Sequence, residues 1–144
     1  MDSYERMNEV IAYIEDNINV DIDVSHISKI ACCPTHQFPR IFSFLADMTL
    51  SEYVRSRRLS LAALEIQQTK NSIIDIALKY GYDSHASFSR AFREHHKTTP
   101  SSARNKSAIL NIFPRMSFHT PMGIDQNLIY RIEKGKMKMA RIIK

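Results

Sequence analysis

Apolar residues near the start of the chain fall at Met7, Val10, Ile11, Ile14 and Ile18. Steps of three and four return to one side of a helix, so the pattern predicts an amphipathic first helix from about residue 3 to 18 with a single buried stripe. The stretch "VDIDVSHISKIA" alternates at its start and then becomes helical, with Asp23 or Ser25 available as an N-cap ahead of Ile27 and Ile30. "CCP" ends that short helix. A third helix is predicted to begin near Thr35 and to bury Phe38, Ile41, Phe42 and Leu45. After a turn at "ADMT" comes "LSEYVRSRRLSLAALEIQQT", the longest helical pattern in the chain and rich in strong helix formers. It reads as a linker helix over about 50–68 that joins two halves.

The pattern then repeats itself. "IIDIALKY" is helical, "GYD" is a turn and "SHASFSRAFREHH" is helical again, with Gly81 suited to a left-handed helix end and Ser84 to an N-cap. A last short helix is predicted around Pro100, a residue well placed in a first turn. Beyond Ala108 the texture changes, and the alternation in "YRIEKGKMKMARI" predicts strand. Two or three strands do not form a stable sheet alone, which reads as the truncated start of a further domain. The fold class expected is therefore all-α, with about seven helices in two helix-turn-helix subdomains (about 24–47 and 72–97) joined by the linker helix. Residues 1–107 form that domain, and 108–144 form a linker and a short β-like tail.

The two halves share one motif. Residues 38–42 read Phe-x-Arg-x-Phe, and residues 88–92 read the same, fifty positions later; Thr49 and Ser51 stand to the first copy as Thr99 and Ser101 stand to the second. On a helix, residues four apart share a face and residues two apart point nearly opposite ways. The phenylalanines are thus expected in the core while Arg40 and Arg90 project outward. Each copy, with its preceding short helix and turn, makes a helix-turn-helix whose second helix fits a major groove. Arginine suits that position because its planar fork bonds guanine O6 and N7 together, or clamps phosphate.

Charge sharpens the picture. The formal charge is +5, but residues 1–23 carry one basic side chain against seven acidic ones, residues 24–107 carry twelve against six, and residues 108–144 carry seven against two. A basic body behind an acidic leader points to an anionic partner. No apolar run approaches the roughly 20 residues that cross a bilayer, and the N-terminus lacks the layout of a signal peptide, so a cytoplasmic protein with no membrane partner is expected. Adjacent Cys32 and Cys33 fit a reducing compartment. They read first as packing residues, with sensing of oxidants or soft metals as the other chemistry open to them. No third cysteine supports a zinc site, no glycine-rich phosphate loop is present, and no nucleophile, base and carboxylate are suitably spaced. Neither an enzyme nor a cofactor is expected. His95 and His96 fit a helix C-terminus or a phosphate better than a metal.

The residues resemble the AraC/XylS transcriptional regulators over about 5–107, most specifically in "IIDIALKYGYDSHASFSRAFREHHKTTPSSAR", through Ile76, Ala77, Gly81, Ser84, Phe88, Arg90, Phe92 and Pro100. The resemblance implies two recognition helices, about 35–46 and 85–96, in successive major grooves about 34 Å apart. By position, His36 and Arg40 in the first and His85, Ala86, Ser87 and Arg90 in the second would face base edges. Arg55, Arg57, Arg93 and Lys97 would meet phosphates. It further implies double-stranded DNA and RNA polymerase as partners. The segment from "FPRMSFHTPM" onward is similar to the start of a GyrI-like effector domain, where a small molecule would bind. Relatives usually carry a polar residue at position 39, so Pro39 is expected to kink the first recognition helix or to blunt its reading. The alternative is a small-molecule-sensing or protein-interaction protein whose helical part is a non-reading scaffold.

Overall fold

The structure, a computed structural model, describes residues 2–119; the predicted strand in "YRIEKGKMKMARI" lies outside the described residues. Among the described residues the chain forms six α-helices and one 3₁₀ turn, with no strand. They fall into two compact units. The first contains residues 2–16, 22–52 and 115–119, and the second contains 17–21 and 53–114.

In the first unit, α1 (Ser3–Asp16) opens with a reciprocal cap: Glu5 N–H donates to Asp2 Oδ1 at 2.8 Å and Asp2 N–H donates to Glu5 Oε1 at 2.9 Å. Its stripe of Met7, Val10, Ile11 and Ile14 is buried, and α1 packs on α2 (Val24–Ala31). Asp23 caps α2 by accepting from the amides of Ser25 (3.0 Å) and His26 (3.2 Å). The helix closes at Cys32 in the left-handed conformation (φ 58°), with Cys32 N–H donating to Lys29 O and Cys33 N–H to Ser28 O, both at 3.1 Å.

Against α2 packs α3 (Phe38–Ala46), which buries Phe38, Phe42 and Ala46. This helix starts three residues later than Thr35, the predicted start. Pro39 accordingly sits in the first turn, where its missing N–H would have had no helical acceptor, and the main-chain bonds Phe38 N–H to Pro34 O and Ile41 N–H to Gln37 O, both 3.1 Å, run on either side of it. Ile41 and Leu45, expected in the core, are only half-buried because the nine-residue helix has a narrow contact face. At the C-terminus of α1, where helix to residue 18 was expected, the helix stops at Asp16; Ile18 is buried all the same, from the turn that follows.

The chain continues into α4 (Leu50–Gln68), capped by Thr49 Oγ1 accepting from Glu52 N–H (3.0 Å) while Glu52 Oε1 accepts from Thr49 N–H (2.8 Å). From Tyr53 on, α4 belongs to the second unit, where Tyr53, Val54, Leu59, Ala62, Ala63 and Ile66 are buried. Arg104, in the 3₁₀ turn Ser102–Arg104, ties off the end of α4 by donating to the carbonyls of Ile66 (3.1 Å), Thr69 (2.8 Å) and Asn71. Next come α5 (Ile73–Lys79), capped by Ser72, and α6 (His85–His96), capped by Ser84, which pack on each other. Glu65 of α4 accepts from Lys79 Nζ (2.9 Å), Asn71 Nδ2 (3.0 Å) and Tyr80 Oη (3.1 Å). Burial alone would raise its carboxyl pKa, but these three donors outweigh it and the net shift is downward; burial and the same carboxylate push the Tyr80 phenol up to about 12.

Candidate nucleic-acid interface

The turn between α5 and α6 is built by backbone chemistry. Gly81 takes φ +90°, its N–H donates to Leu78 O (3.1 Å) and Tyr82 N–H reaches Ala77 O (2.9 Å). These are the same two bonds that end α2, so one turn design serves both units, with Cys32 holding a left-handed position as glycine does in the other. Asp47 after α3 and Lys97 after α6 are both left-handed as well, at φ 60° and 63°, and they stand fifty residues apart. The repeat read from the two Phe-x-Arg-x-Phe motifs therefore extends to the backbone of both helix ends.

Within each unit the second helix is mounted by its phenylalanines. Phe38 and Phe42 are fully buried with ring centroids 5.9 Å apart, and Phe88 and Phe92 are fully buried at 5.5 Å. Tyr82 from the turn meets Phe88 edge-on at 5.4 Å, and Phe92 lies 4.4 Å from the His96 ring. Arg40 and Arg90, two positions from each anchor, are exposed. A guanidinium at the outer surface of a helix seated on two buried rings is rigid at its base and free at its tip.

The other sequence-derived candidates divide by environment. His85, Ala86, Arg93 and Lys97 are exposed on or just after α6, and Arg55 is exposed on α4. Burial raises the Tyr82 phenol above its ordinary value, with the charges of Arg55 and Arg58 opposing it only in part; Arg58 Nη1 lies beside the turn into α6, 3.3 Å from where a Cβ on Gly81 would stand. His36 is exposed but precedes α3, in the turn. Ser87 is half-buried; its N–H and Oγ are both bonded to Ser84, so it serves the cap. Arg57 departs from the expected outward role: its side chain is buried and donates to Phe113 O at 2.6 Å, holding the segment after the 3₁₀ turn.

Phe44 was missed by the sequence reading. It is 73% exposed and lies one helical turn beyond Arg40. The i, i+4 spacing from Arg40 was the signal, masked because phenylalanine is read as core by default. Apolar contact with a thymine methyl is the chemistry such a side chain offers in a major groove. Ser89 also lies on α6, its Oγ 3.3 Å from His85 Nδ1.

Among the described residues no helix is long and apolar enough to cross a membrane, and no cluster of three metal-ligating side chains occurs. Two short helix pairs, each presenting an arginine on a phenylalanine-anchored second helix, define a helix-turn-helix protein of the DNA-binding regulatory class. Comparison with known proteins refines this. The family described as "Helix-turn-helix domain" matches residues 27–106. The Transposon Tn10 TetD protein of Escherichia coli is 38% identical over 95 residues, covering 66% of this chain and 69% of that protein. Regulatory protein SoxS of Escherichia coli strain K12 is 35% identical over 100 residues, covering 69% of this chain and 94% of SoxS. Among solved structures, a transcriptional regulator with an AraC-type DNA-binding domain from Chromobacterium violaceum superimposes with a TM-score of 0.65 at 29% identity, covering 72% of this chain and 93% of that one. The chain belongs to the AraC/XylS family of transcriptional regulators. It is a regulator and not an enzyme.

Proposed function

We propose that the chain regulates transcription by inserting α3 and α6 into successive major grooves of one DNA duplex. The observation that carries this reading is the paired mount: in both units the phenylalanines of Phe-x-Arg-x-Phe are fully buried and the arginine between them is exposed. Arg90, with His85 and Ala86, reads bases from α6; Arg40 and Phe44 do so from α3, and His36 approaches from the turn before it. Arg55, Arg93 and Lys97 meet phosphates. Ser87 and Arg57 support the framework, as their bonds within the fold indicate.

Three further parts of the reading rest on the sequence, the first and last on its family resemblance and the second on its lack of a bilayer-long apolar run and of a signal-peptide layout. RNA polymerase is the protein partner, the protein works in the cytoplasm, and residues from about 113 onward lead into a GyrI-like effector domain that takes a small molecule.

Selection of sites from a random duplex library with the purified chain tests the reading. Two enriched blocks one helical turn apart are expected, and no enrichment would end it. Arg90→Ala is expected to weaken binding to the selected site by about 1 to 3 kcal/mol and to relax preference within one block. Arg40→Ala should do the same in the other block.

A further inference from the structure

The turn between α2 and α3 holds two thiols that the DNA reading does not use. Cys32 is exposed and Cys33 is half-buried. Cys32 stands at the left-handed cap of α2, a conformation that L-residues adopt reluctantly, and its Sγ accepts a hydrogen bond from Arg6 Nη1 of α1 at 2.5 Å. A solvent-accessible sulfur beside a guanidinium has the surroundings of a reactive thiol. Its neighbour differs: burial, and then Cys32 itself, push the Cys33 thiol up, so Cys33 stays protonated and is the slower first nucleophile.

We propose that Cys32 and Cys33 form an oxidant-responsive site for hydroperoxides, with Cys32 as the attacking sulfur, Cys33 as the resolving one and Arg6 as a positioning residue. In the first step the Cys32 sulfur attacks the outer peroxide oxygen. An S–O bond forms, the O–O bond breaks, and the alcohol or water leaves with the proton; the sulfur is oxidised by two electrons and the peroxide is reduced. The Arg6 guanidinium, already on the sulfur, receives the oxygen of the Cys32 sulfenic acid, which keeps the hydrogen of the peroxide's outer oxygen. In the second step Cys33 sulfur attacks Cys32 sulfur, the S–O bond breaks and water departs with the thiol proton, leaving a Cys32–Cys33 disulfide. A bridge between sequence neighbours is strained, and strained disulfides are the readily reduced ones, which suits a reversible mark. Closing it reshapes the Cys32–Cys33 dipeptide, whose two backbone N–H groups bond Lys29 O and Ser28 O, immediately ahead of α3.

Intact-mass analysis of the whole reduced chain after graded hydrogen peroxide is the test. The expected product has lost two hydrogens and is restored by dithiothreitol; methionine oxidation adds oxygen instead and is separable by mass. Cys33→Ser should accumulate a Cys32 sulfenic acid trapped by dimedone, Cys32→Ser should give neither product, and Arg6→Gln should slow trapping about tenfold with an unchanged circular dichroism spectrum. Methionine oxidation without cysteine loss would overturn the proposal, as would Cys33 reacting in Cys32→Ser as fast as Cys32 reacts in the parent. The readout needs no DNA, so its failure is distinct from failure of the DNA reading.

Discussion

Gly81 shows how much one residue contributes to presenting a recognition helix. Its φ of +90° is open to glycine and strained for any side chain, and a Cβ there would lie 3.3 Å from Arg58 Nη1. That guanidinium has little room to yield, since Arg58 Nε donates to Ile18 O at 2.8 Å and Nη2 to Val20 O at 2.7 Å. Gly81→Ala is expected to destabilise the fold by about 1 to 2 kcal/mol, read as a lower urea midpoint with unchanged slope. A neutral result would mean that the turn relaxes without strain. The glycine was legible in the sequence because its type announces its conformation. Cys32, doing the same work at the end of α2, carried no such label. Arg57 was unreadable for another reason: its partner, the Phe113 carbonyl, is 56 residues away, and only tertiary folding reveals that the charge turns inward.

At the scale of helices, the two recognition elements differ in how they begin and end. The amphipathic spacing gave α3 its identity and its buried phenylalanines, but the start near Thr35 was misplaced because the turn at 35–37 is itself nearly helical, with Gln37 at φ −95° and ψ −20°. The true start puts Pro39 in the first turn. Pro39→Ala is therefore expected to change stability by less than about 1 kcal/mol, whereas relief of an interior proline would return about 3 kcal/mol. A gain of the larger size in urea denaturation would restore the kinked-helix expectation. The end of α6 contains a different device. His96 is buried, its Nε2 lies 2.9 Å from Leu59 O, and its Nδ1 accepts from Asn111 N–H at 3.0 Å. Donation to the carbonyl and acceptance from the amide use both ring nitrogens of one neutral tautomer. Protonation would set an N–H against an N–H. Burial above all, with His95 adding to it, lowers the His96 pKa, although the Leu59 bond opposes them. The unfolded chain then takes up the proton first, so the contribution is fully present above about pH 6.5 and is lost as pH falls from there through the lower folded value. Urea midpoints measured across that range should decline on acidification, and His96→Gln should flatten the decline; an equal decline in the variant would assign it to other groups.

For the whole molecule, function depends on which positive charges stay free at the surface. Sequence counting located a basic body behind an acidic leader but could not separate its arginines by task. The structure commits Arg57, Arg58 and Arg104 to backbone carbonyls, and leaves Arg40, Arg55, Arg90 and Arg93 exposed. Of these, Arg90 and Arg93 share α6 and offer an internal control. Arg90 lies between the two buried rings in sequence, whereas Arg93 follows Phe92 in the last turn. A base contact and a phosphate contact have different signatures, because only the phosphate contact releases a condensed counterion regardless of sequence. Arg93→Ala is expected to weaken binding to selected and scrambled duplexes alike and to reduce the slope of log K against log salt by about 1. Arg90→Ala should leave much of that slope and lose preference instead. Binding isotherms over a salt series, run for both variants on both duplexes, separate the two roles. If Arg93→Ala altered sequence preference and kept the parental slope, Arg93 would be a reading residue, and the groove-facing side of α6 would lie toward its C-terminal end.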